Sequence, residues 1–289
     1  MTEIEQYVAP SSLEQAAEYL QRSGEVTILA GGTDLMPQSQ GGRLKIKRTL
    51  MNIQHIPELK GIAIDGGAIR IGALATITEI MQSELIKKHL PILIEACDHF
   101  ASDQIRNAAT LGGNVCNASP AGDMLVPLLV LDAEVELASK PDGGLTRRRL
   151  PLSEFFVGPG KTRRAPSELL AGLRIGLPGA HHYARFFKFG TRPALDIATI
   201  SIGIAGTLNN GALSSARVAF GAVAPVPMRA PRTEQALEAR RLDAATIEAV
   251  AGVARDEVTP IDDVRASAWY RKELIHNITK RMLDHVAQA

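Results

Sequence analysis

Two pairs of adjacent glycines form the strongest chemical signal in this sequence. They stand in the segments Leu29-Ala30-Gly31-Gly32-Thr33-Asp34-Leu35 and Thr110-Leu111-Gly112-Gly113-Asn114, here called the first and second glycine segments. Glycine adopts positive φ without steric cost and lets the backbone approach a ligand closely. Successive backbone N–H groups in such turns form a concave site for anions. We therefore predict that the two segments hold one diphosphate from two sides, with Thr33, Thr110 and Asn114 supplying further donors.

Two carboxylates accompany these segments and have different expected roles. Asp34 has the wrong sign for a phosphate ligand, so we expect its carboxylate to turn away and bond the backbone of its own loop. Asp123 lies nine residues beyond Asn114, just before an apolar run. A carboxylate is only an acceptor, which suits ribose or ribityl hydroxyls; the alternative is an N-cap of the following helix. Donors for a diphosphate beside an acceptor for a polyol indicate a dinucleotide.

Other candidate residues leave alternatives open or exclude a site. The segment Gly158-Pro159-Gly160-Lys161-Thr162 lacks the first glycine of a phosphate-binding P-loop, because Phe155 stands there, and Pro159 removes a donor. We predict a loop between a helix and a strand. Lys188 lies in an apolar strand. Its side chain points either to solvent, because side chains alternate between the two faces of a strand, or to a cofactor ring that becomes anionic on reduction. Arg106 either bonds phosphate or anchors the second glycine segment.

Composition excludes several classes of protein. The 289 residues are 22% charged with a net charge of +1 and contain 4% aromatics, which argues against a nucleic-acid partner. Cys97 and Cys116 alone form neither a disulfide framework nor a four-thiolate metal site, and His181-His182 lacks further ligands, so we expect no metal. Cys116 is either a buried small hydrophobe, which we expect, or a thiol that approaches a cofactor. We predict no membrane span, because the longest apolar run, residues 124–131, is too short to cross a bilayer. We also predict no secretory signal. We therefore expect a cytoplasmic chain, since a reducing compartment suits its two cysteines.

Periodicity and turn signals predict an α+β chain with a linker between two parts at Leu177-Pro178-Gly179. Residues 12–21 form a helix that ends at Gly24, and residues 26–30 and 49–53 form a small parallel unit. Further predicted elements follow: a hairpin at residues 61–72, a capping box at residues 76–79, a buried helix at residues 124–131, a hairpin at residues 133–150 around Pro141-Asp142-Gly143-Gly144, a strand at residues 168–175, a three-stranded meander at residues 185–189, 197–208 and 214–220 with a tight turn at Asn209-Asn210-Gly211, and helices beyond residue 232.

The order and spacing of these motifs closely resemble those of the FAD-binding medium subunit of the molybdenum hydroxylases, the xanthine dehydrogenase and carbon monoxide dehydrogenase family. The two glycine segments resemble that family's two FAD-diphosphate motifs. The resemblance extends to Ala118-Ser119-Pro120-Ala121-Gly122-Asp123, to the loop at residues 156–162 and to the stretch from Phe187-Lys188-Phe189-Gly190 to Asp196-Ile197-Ala198. It covers nearly the whole chain.

The resemblance implies an α+β fold. Residues 1–178 would form a two-lobed FAD-binding domain of the vanillyl-alcohol oxidase type, with lobes at about 1–55 and 56–178. Residues 179–289 would form a small C-terminal domain with a three-stranded antiparallel sheet and helices. FAD would lie between the lobes, with its flavin ring near the C-terminal domain.

The resemblance also implies residue roles. Both glycine segments would hold the diphosphate, Asp123 would be the acidic FAD ligand, Leu169 or Leu170 would touch the flavin, and Lys188 would lie near its pyrimidine edge beside the Asp196-Ile197-Ala198 loop. The full predicted site comprises Ile28, Leu29, Ala30, Gly31, Gly32, Thr33, Asp34, Leu35, Thr110, Leu111, Gly112, Gly113, Asn114, Ser119, Asp123, Leu169, Leu170, Lys188, Asp196 and Ile197.

The implied function is electron transfer within a complex. A large subunit would carry the molybdenum cofactor and a small subunit two [2Fe-2S] clusters, in a dimer of heterotrimers. FAD on this chain would pass electrons to NAD⁺, oxygen or another soluble acceptor. One relative has an inserted four-cysteine iron–sulfur loop; this chain has only two cysteines, so we expect no cluster on it. The alternatives are a stand-alone FAD oxidase or dehydrogenase of a small molecule and a non-catalytic nucleotide-binding assembly subunit.

Overall fold

A small parallel sheet opens the chain and ends beside the first glycine segment. The computed structural model describes residues 4–23, 25–141, 143–192 and 194–288. This first lobe contains strands β1 (Gln6–Val8), β2 (Val26–Leu29) and β3 (Thr49–Asn52) and helices α1 (Leu13–Arg22) and α2 (Leu35–Gln40). The strand order is β1-β3-β2, and both pairings are parallel. The predicted parallel unit is therefore present, extended by the three-residue β1, which is too short for a periodic signal.

Helix α1 covers this sheet because its apolar residues recur on one face. Ser12 caps the helix by accepting a hydrogen bond from the backbone N of Gln15 at 3.2 Å. Leu13, Ala16 and Leu20 are buried in a core that also contains residues of the second lobe. Gly24, the predicted helix end, lies outside the described residues, as does Asp142 of the predicted hairpin turn.

The second lobe is built on a five-stranded antiparallel sheet with order β4-β5-β10-β6-β7. Its strands are β4 (Ile62–Asp65), β5 (Ala68–Gly72), β6 (Glu134–Ser139), β7 (Thr146–Pro151) and β10 (Leu169–Gly176). The predicted hairpins and the predicted strand at residues 168–175 are thus confirmed. Between β7 and β10, a two-stranded ribbon of β8 (Phe156–Gly158) and β9 (Lys161–Thr162) turns at Pro159-Gly160.

In the described part of the chain, seven short helices connect these strands and bury its largest hydrophobic core. They are α3 (Ile77–Gln82), α4 (Glu84–His89), α5 (Pro91–Asp98), α6 (Asp103–Ala108), α7 (Leu111–Asn117), α8 (Leu125–Val130) and α9 (Leu152–Phe155), and a 3-10 turn spans Pro57–Leu59. The predicted capping box starts α3: the N of Glu79 donates to Thr76 Oγ1 at 3.1 Å, and the N of Thr76 donates to Glu79 Oε2 at 2.7 Å.

The remainder of the described chain forms an antiparallel sheet covered by helices. Its elements are β11 (His182–Phe189), β12 (Ile200–Asn209), β13 (Ala212–Gly221), β14 (Met228–Arg229), α10 (Pro231–Leu237), α11 (Ala244–Glu257) and α12 (Ala268–Gln288). Asn210 and Gly211 have φ of 48° and 73°, which identifies the predicted tight turn as type I′. The sheet has one strand more than predicted, because the two-residue β14 follows a proline-rich segment and carries no alternating pattern.

Helix α8 joins the second lobe to this C-terminal sheet. All six of its residues are buried, as an apolar run without polar positions requires. An ideal Cβ on Gly203 of β12 would lie 2.9 Å from Val126 of α8, and one on Gly221 of β13 would lie 2.9 Å from the same residue. Glycines at these two positions let the helix backbone settle closely onto the sheet, which fixes the C-terminal sheet against the lobe that carries the second glycine segment.

Candidate functional site

A cleft of about 970 Å³ lies where the two glycine segments meet. This volume lies at the upper end of the range for ligand sites. Of the predicted site residues, the following line it: Ile28, Ala30, Gly31, Gly32, Thr33, Asp34, Leu35, Thr110, Gly112, Gly113, Asn114, Ser119, Asp123, Leu169, Leu170, Asp196 and Ile197. Leu29, Leu111 and Lys188 are not among its lining residues. Leu111 is fully buried, and Leu29 lies at the end of β2.

The first glycine segment packs directly on the chain that leads into the second. An ideal Cβ on Gly31 would lie 1.9 Å from the carbonyl oxygen of Ala108 and 3.3 Å from the Cα of Ala109, so any other residue would push the segments apart. Gly32 has φ of 72°, a conformation that favours glycine. In the described part of the chain, the amides of Gly31, Gly32 and Thr33 donate to no backbone carbonyl. These N–H groups are therefore available to an anion in the cleft.

The second glycine segment differs from the predicted turn. Gly112 and Gly113 lie in the first turn of α7, and their amides are already used: Gly112 N donates to Ala73 O at 2.9 Å and Gly113 N donates to Thr110 Oγ1 at 3.0 Å. The expectation that these backbone amides bind phosphate is therefore wrong. The glycines instead allow close packing, because a Cβ on Gly112 would lie 2.7 Å from Ala73.

Side chains of the second segment remain available to a ligand. The hydroxyl of Thr110 accepts from Gly113, and its own proton is free to be donated. Asn114 Oδ1 is buried without a hydrogen-bond partner in the described part of the chain, although buried polar atoms normally have one. Both residues line the cleft at the N-terminus of a helix, an end that favours anions.

Asp34 also departs from expectation. Its carboxylate accepts a hydrogen bond from the side chain Nε2 of Gln38 and not from the backbone of its loop. The reason is local: Asp34 already has helical backbone angles, φ −111° and ψ −39°, so its side chain meets the residue four positions on. Asp34 stays exposed at the cleft margin.

Asp123 and Lys188 form a buried ion pair at the opposite end of the cleft. Lys188 Nζ lies 2.9 Å from Asp123 Oδ2 and donates to the carbonyl oxygen of His99 at 2.9 Å. The two side chains are 5% and 13% exposed, so the solvent-facing alternative for Lys188 is wrong. Asp123 is not a helix cap either, because Met124 is the N-cap of α8. Burial raises the pKa of Asp123 to about 6, although the nearby Lys188 lowers it.

A smaller cavity of about 350 Å³ adjoins this end of the cleft. Lys188, His99 and Phe189 line it together with the loop after β11, and the loop residues Leu195 and Asp196 line both spaces. Asp196 organises the loop: Oδ2 accepts from Thr191 Oγ1 at 2.8 Å and Oδ1 accepts from the N of Ile197 at 2.8 Å. The hydrogen bond from Thr191 lowers the pKa of Asp196. Its carboxylate therefore holds the loop, while the half-exposed side chains of Leu195 and Ile197 line the cleft.

Two open alternatives are now decided by geometry. Arg106 is bonded within the protein, because its guanidinium donates to the carbonyl of Phe100 at 2.8 Å and pairs with Asp103; it thereby holds the turn between α5 and α6, which precedes the second glycine segment. Cys116 is half-buried and lines the cleft, so it is less buried than predicted. Burial nevertheless raises the pKa of its thiol, which keeps it neutral and unreactive.

Sequence reasoning missed several lining residues. Lys47 and Arg164 bring positive charge to the cleft, and Phe100, Ile105 and Leu195 bring apolar surface. Arg164 also donates to the carbonyls of Ala165 and Glu168, at 3.1 Å and 2.6 Å. Leu195 lies within the stretch at residues 187–198 that resembles the family. The other four lie in segments without a motif, so no sequence signal distinguishes them from ordinary surface or core residues.

The described residues form neither a metal centre nor a membrane-spanning helix. No group of three or more His, Cys, Asp or Glu residues in ranges 4–23, 25–141, 143–192 and 194–288 is arranged to hold a metal ion. In the same ranges, no helix combines the length and the apolar character needed to cross a bilayer.

Comparison with known proteins identifies the family. The model for the FAD binding domain in molybdopterin dehydrogenase matches residues 2–178, and the model for the CO dehydrogenase flavoprotein C-terminal domain matches residues 185–286. The chain belongs to this family of FAD-binding medium subunits of molybdenum hydroxylases. The match confirms the predicted family and the α+β architecture of an FAD-binding part followed by a flavoprotein C-terminal part.

Individual relatives match over nearly the whole chain. The xanthine dehydrogenase FAD-binding subunit of Escherichia coli O157:H7 is 34% identical over 100% of this chain and 98% of that protein. The nicotinate dehydrogenase FAD-subunit of Eubacterium barkeri is 31% identical over 96% of this chain and 94% of that protein. The solved structure of reconstituted CO dehydrogenase from Oligotropha carboxidovorans matches with a TM-score of 0.91 and 28% identity, over 98% of this chain and 97% of that chain.

The cleft residues fit an FAD molecule. At one end, three backbone amides of the first glycine segment have no backbone carbonyl to bond within the described chain, which suits a diphosphate. Within the same residues, the buried oxygens Asn114 Oδ1 and Asp123 Oδ1 lack partners, and both suit hydroxyl or amine donors of a dinucleotide. Apolar residues of the lining, such as Leu169 and Leu170, offer a surface for a flat ring.

Proposed function

We propose that this chain is the electron-transfer flavoprotein of a multi-subunit molybdenum hydroxylase, with FAD in the cleft between its two glycine segments. The observation that carries the proposal is the packing of Gly31 on Ala108, which brings both segments to one cleft. Bound FAD would supply two-electron redox chemistry, and the protein would position it and tune its potential. The chain itself needs no general acid or base for this role.

The first glycine segment would bind the diphosphate through the amides of Gly31, Gly32 and Thr33. The Thr110 hydroxyl would complete that end as a donor, beside the N-terminus of α7, whereas Asn114 Oδ1 would accept from a hydroxyl or amine of the dinucleotide. Leu29 and Leu111 would not touch the ligand, since neither lines the cleft; they would hold β2 and α7 in place. The two segments would therefore contact the ligand differently. The first would use backbone amides, whereas the amides of Gly112 and Gly113 in α7 already donate within the protein.

The other end of the cleft would receive the flavin ring. Leu169 and Leu170 are almost fully buried at the start of β10 and line the cleft, which suits one face of a flat ring. The loop that carries Asp196 and Ile197 would cover the ring. Lys188 would act through its charge, since a cation near the ring favours the reduced, anionic form.

The complex around the chain is part of the proposal. We infer a large subunit with the molybdenum cofactor and a small subunit with two [2Fe-2S] clusters, assembled as a dimer of heterotrimers, with NAD⁺, oxygen or another soluble acceptor receiving the electrons. We also propose that the FAD-binding domain ends near residue 178, with lobes at about 1–55 and 56–178 and a C-terminal domain from residue 179. A cytoplasmic location would keep the free thiols Cys97 and Cys116 reduced.

A visible absorption spectrum of the purified chain tests this proposal. We expect a yellow protein with one FAD per chain, bleached by a chemical reductant and recoloured by an acceptor. A chain that stays colourless after incubation with FAD would contradict the proposal and favour a non-catalytic assembly subunit. Turnover of a small organic substrate by the isolated chain would instead favour a stand-alone oxidase. Copurification of the native complex, with metal analysis and mass spectrometry, identifies its partners.

A further inference from the structure

One oxygen of the buried Asp123–Lys188 pair has no partner in the described part of the chain. Oδ2 of Asp123 accepts from Lys188 at 2.9 Å, whereas Oδ1 is buried and unbonded. The same carboxyl lines the cleft. A buried acceptor without a donor is costly, and protonation would remove the negative charge that burial disfavours. The site is therefore poised to take a proton when its electrostatic surroundings change.

The charged and titratable groups around Asp123 leave Lys188 as the dominant influence. Lys188 on β11 contacts it directly, and the Cys97 thiol on α5 is neutral because burial raises its pKa to about 12. Across the cleft, Asp196 is held ionised by hydrogen bonds from its loop, and the Arg164 guanidinium donates to two carbonyls. The ion pair itself is net neutral, and Lys47 and Arg164 are cations of the cleft lining.

We propose that Asp123 takes up the proton that accompanies reduction of the cofactor in this cleft. The inference rests on the proposed function, which supplies the two electrons from the partner's clusters. A proton from solvent forms one O–H bond to Asp123 Oδ1, and no other bond on the protein breaks. Lys188 keeps its charge, now without a carboxylate to offset it, and so opposes the added negative charge. Reoxidation releases the proton to solvent.

Infrared difference spectroscopy tests the inference on the FAD-loaded chain. The reduced-minus-oxidised spectrum near neutral pH should contain a new band of a protonated carboxyl, shifted in D₂O. The band should vanish at a pH well below 6, because Asp123 is then protonated before reduction. Asp123→Asn should lose the band and the pH dependence of the midpoint potential that goes with it. Asp98→Asn, which removes an exposed carboxylate outside the cleft lining, should retain both.

A second variant covers the possibility that Asp123→Asn fails to hold FAD. In Lys188→Met the carboxyl loses its cation and should be protonated in both redox states, so the band should disappear near neutral pH while FAD stays reducible. Absence of the band in the wild-type chain, or its persistence in either variant, would overturn the inference and leave the proposed function intact. A chain that binds no reducible FAD would remove the proposed function and the inference together.

Discussion

Gly31 lies so close to the carbonyl oxygen of Ala108 that a Cβ atom at position 31 would be 1.9 Å from it. This approach joins the end of β2 in the first lobe to the end of α6 in the second. Gly31 and Ala109, on the two sides of this contact, both line the cleft. Gly31 therefore sets the spacing of the lobes, while its neighbour Gly32 sets the direction of the chain through a positive φ.

We expect Gly31→Ala to destabilise the fold by about 1–3 kcal/mol, the usual cost of forcing extra atoms into a packed site. Urea unfolding of the purified chain measures this change. Gly179→Ala is the matched control, because a Cβ there meets nothing within 4 Å. Equal stability of the two variants would show that the lobes can separate at no cost.

Gly32→Val and Gly113→Val should both yield folded protein without FAD. Valine is strained at the φ of Gly32, and at position 113 it would crowd Thr110 Oγ1, 2.9 Å from its Cβ, and fill the exposed side that faces the cleft. The FAD content after desalting, read from absorbance, checks the prediction, with circular dichroism as the test of folding. Gly179→Val should keep its FAD. Stoichiometric FAD in both cleft variants would refute the diphosphate site.

Lys188→Met should lower the midpoint potential of the bound FAD. The variant loses a cation from the flavin end, so the reduced form loses electrostatic stabilisation. For a two-electron couple, a change of about 30 mV corresponds to about 1.4 kcal/mol, and we expect a shift of at least that order. Potentiometric titration with absorbance detection measures it. An unchanged potential would remove the proposed role of this lysine.

The raised pKa of Asp123 predicts a pH dependence of stability in the cofactor-free chain. Between its ordinary value of 3.8 and about 6, the folded state holds the proton more tightly than the unfolded state. Stability from this group is therefore highest below that window and falls as pH rises through it. The whole change is about 3 kcal/mol.

Urea unfolding of the wild type and of Asp123→Asn across this window isolates the contribution, since other titrations cancel between the two proteins. The wild type should lose stability relative to the variant as pH rises from about 4 to 6. Parallel curves would mean that the carboxyl is not buried as the structure describes.

Asp196→Ala should loosen the loop after β11 without unfolding the sheet. The variant removes hydrogen bonds to Thr191 and Ile197, each worth about 1 kcal/mol. Hydrogen exchange should accelerate at Thr191, Arg192 and Ile197 and remain unchanged in β12. Exchange rates equal to those of the wild type in the loop would show that Asp196 is dispensable for its order.

Sequence reasoning predicted most of the fold because the signals were local. The parallel unit, both hairpins, the capping box at Thr76 and the turn at Asn210-Gly211 each depend on residues close together in the chain. Elements two or three residues long, such as β1 and β14, were missed since periodicity cannot be read from so few positions.

The site was predicted less completely, for a physical reason. A glycine pair indicates close approach, but it does not say what approaches. At Gly31 the neighbour is Ala108, and at Gly112 it is Ala73, so packing within the protein accounts for glycines that the sequence pattern alone associates with phosphate. The Asp123–Lys188 contact joins residues 65 positions apart, and no pattern within either segment predicts it.

The position of α8 has a consequence for dissecting the protein. Its six residues are shielded on one side by the second lobe and on the other by β12 and β13. A fragment truncated near residue 178 would present a strip of valine and leucine to water and should aggregate. Calorimetry of the intact chain should accordingly show a single melting transition, despite the two family matches that divide its sequence.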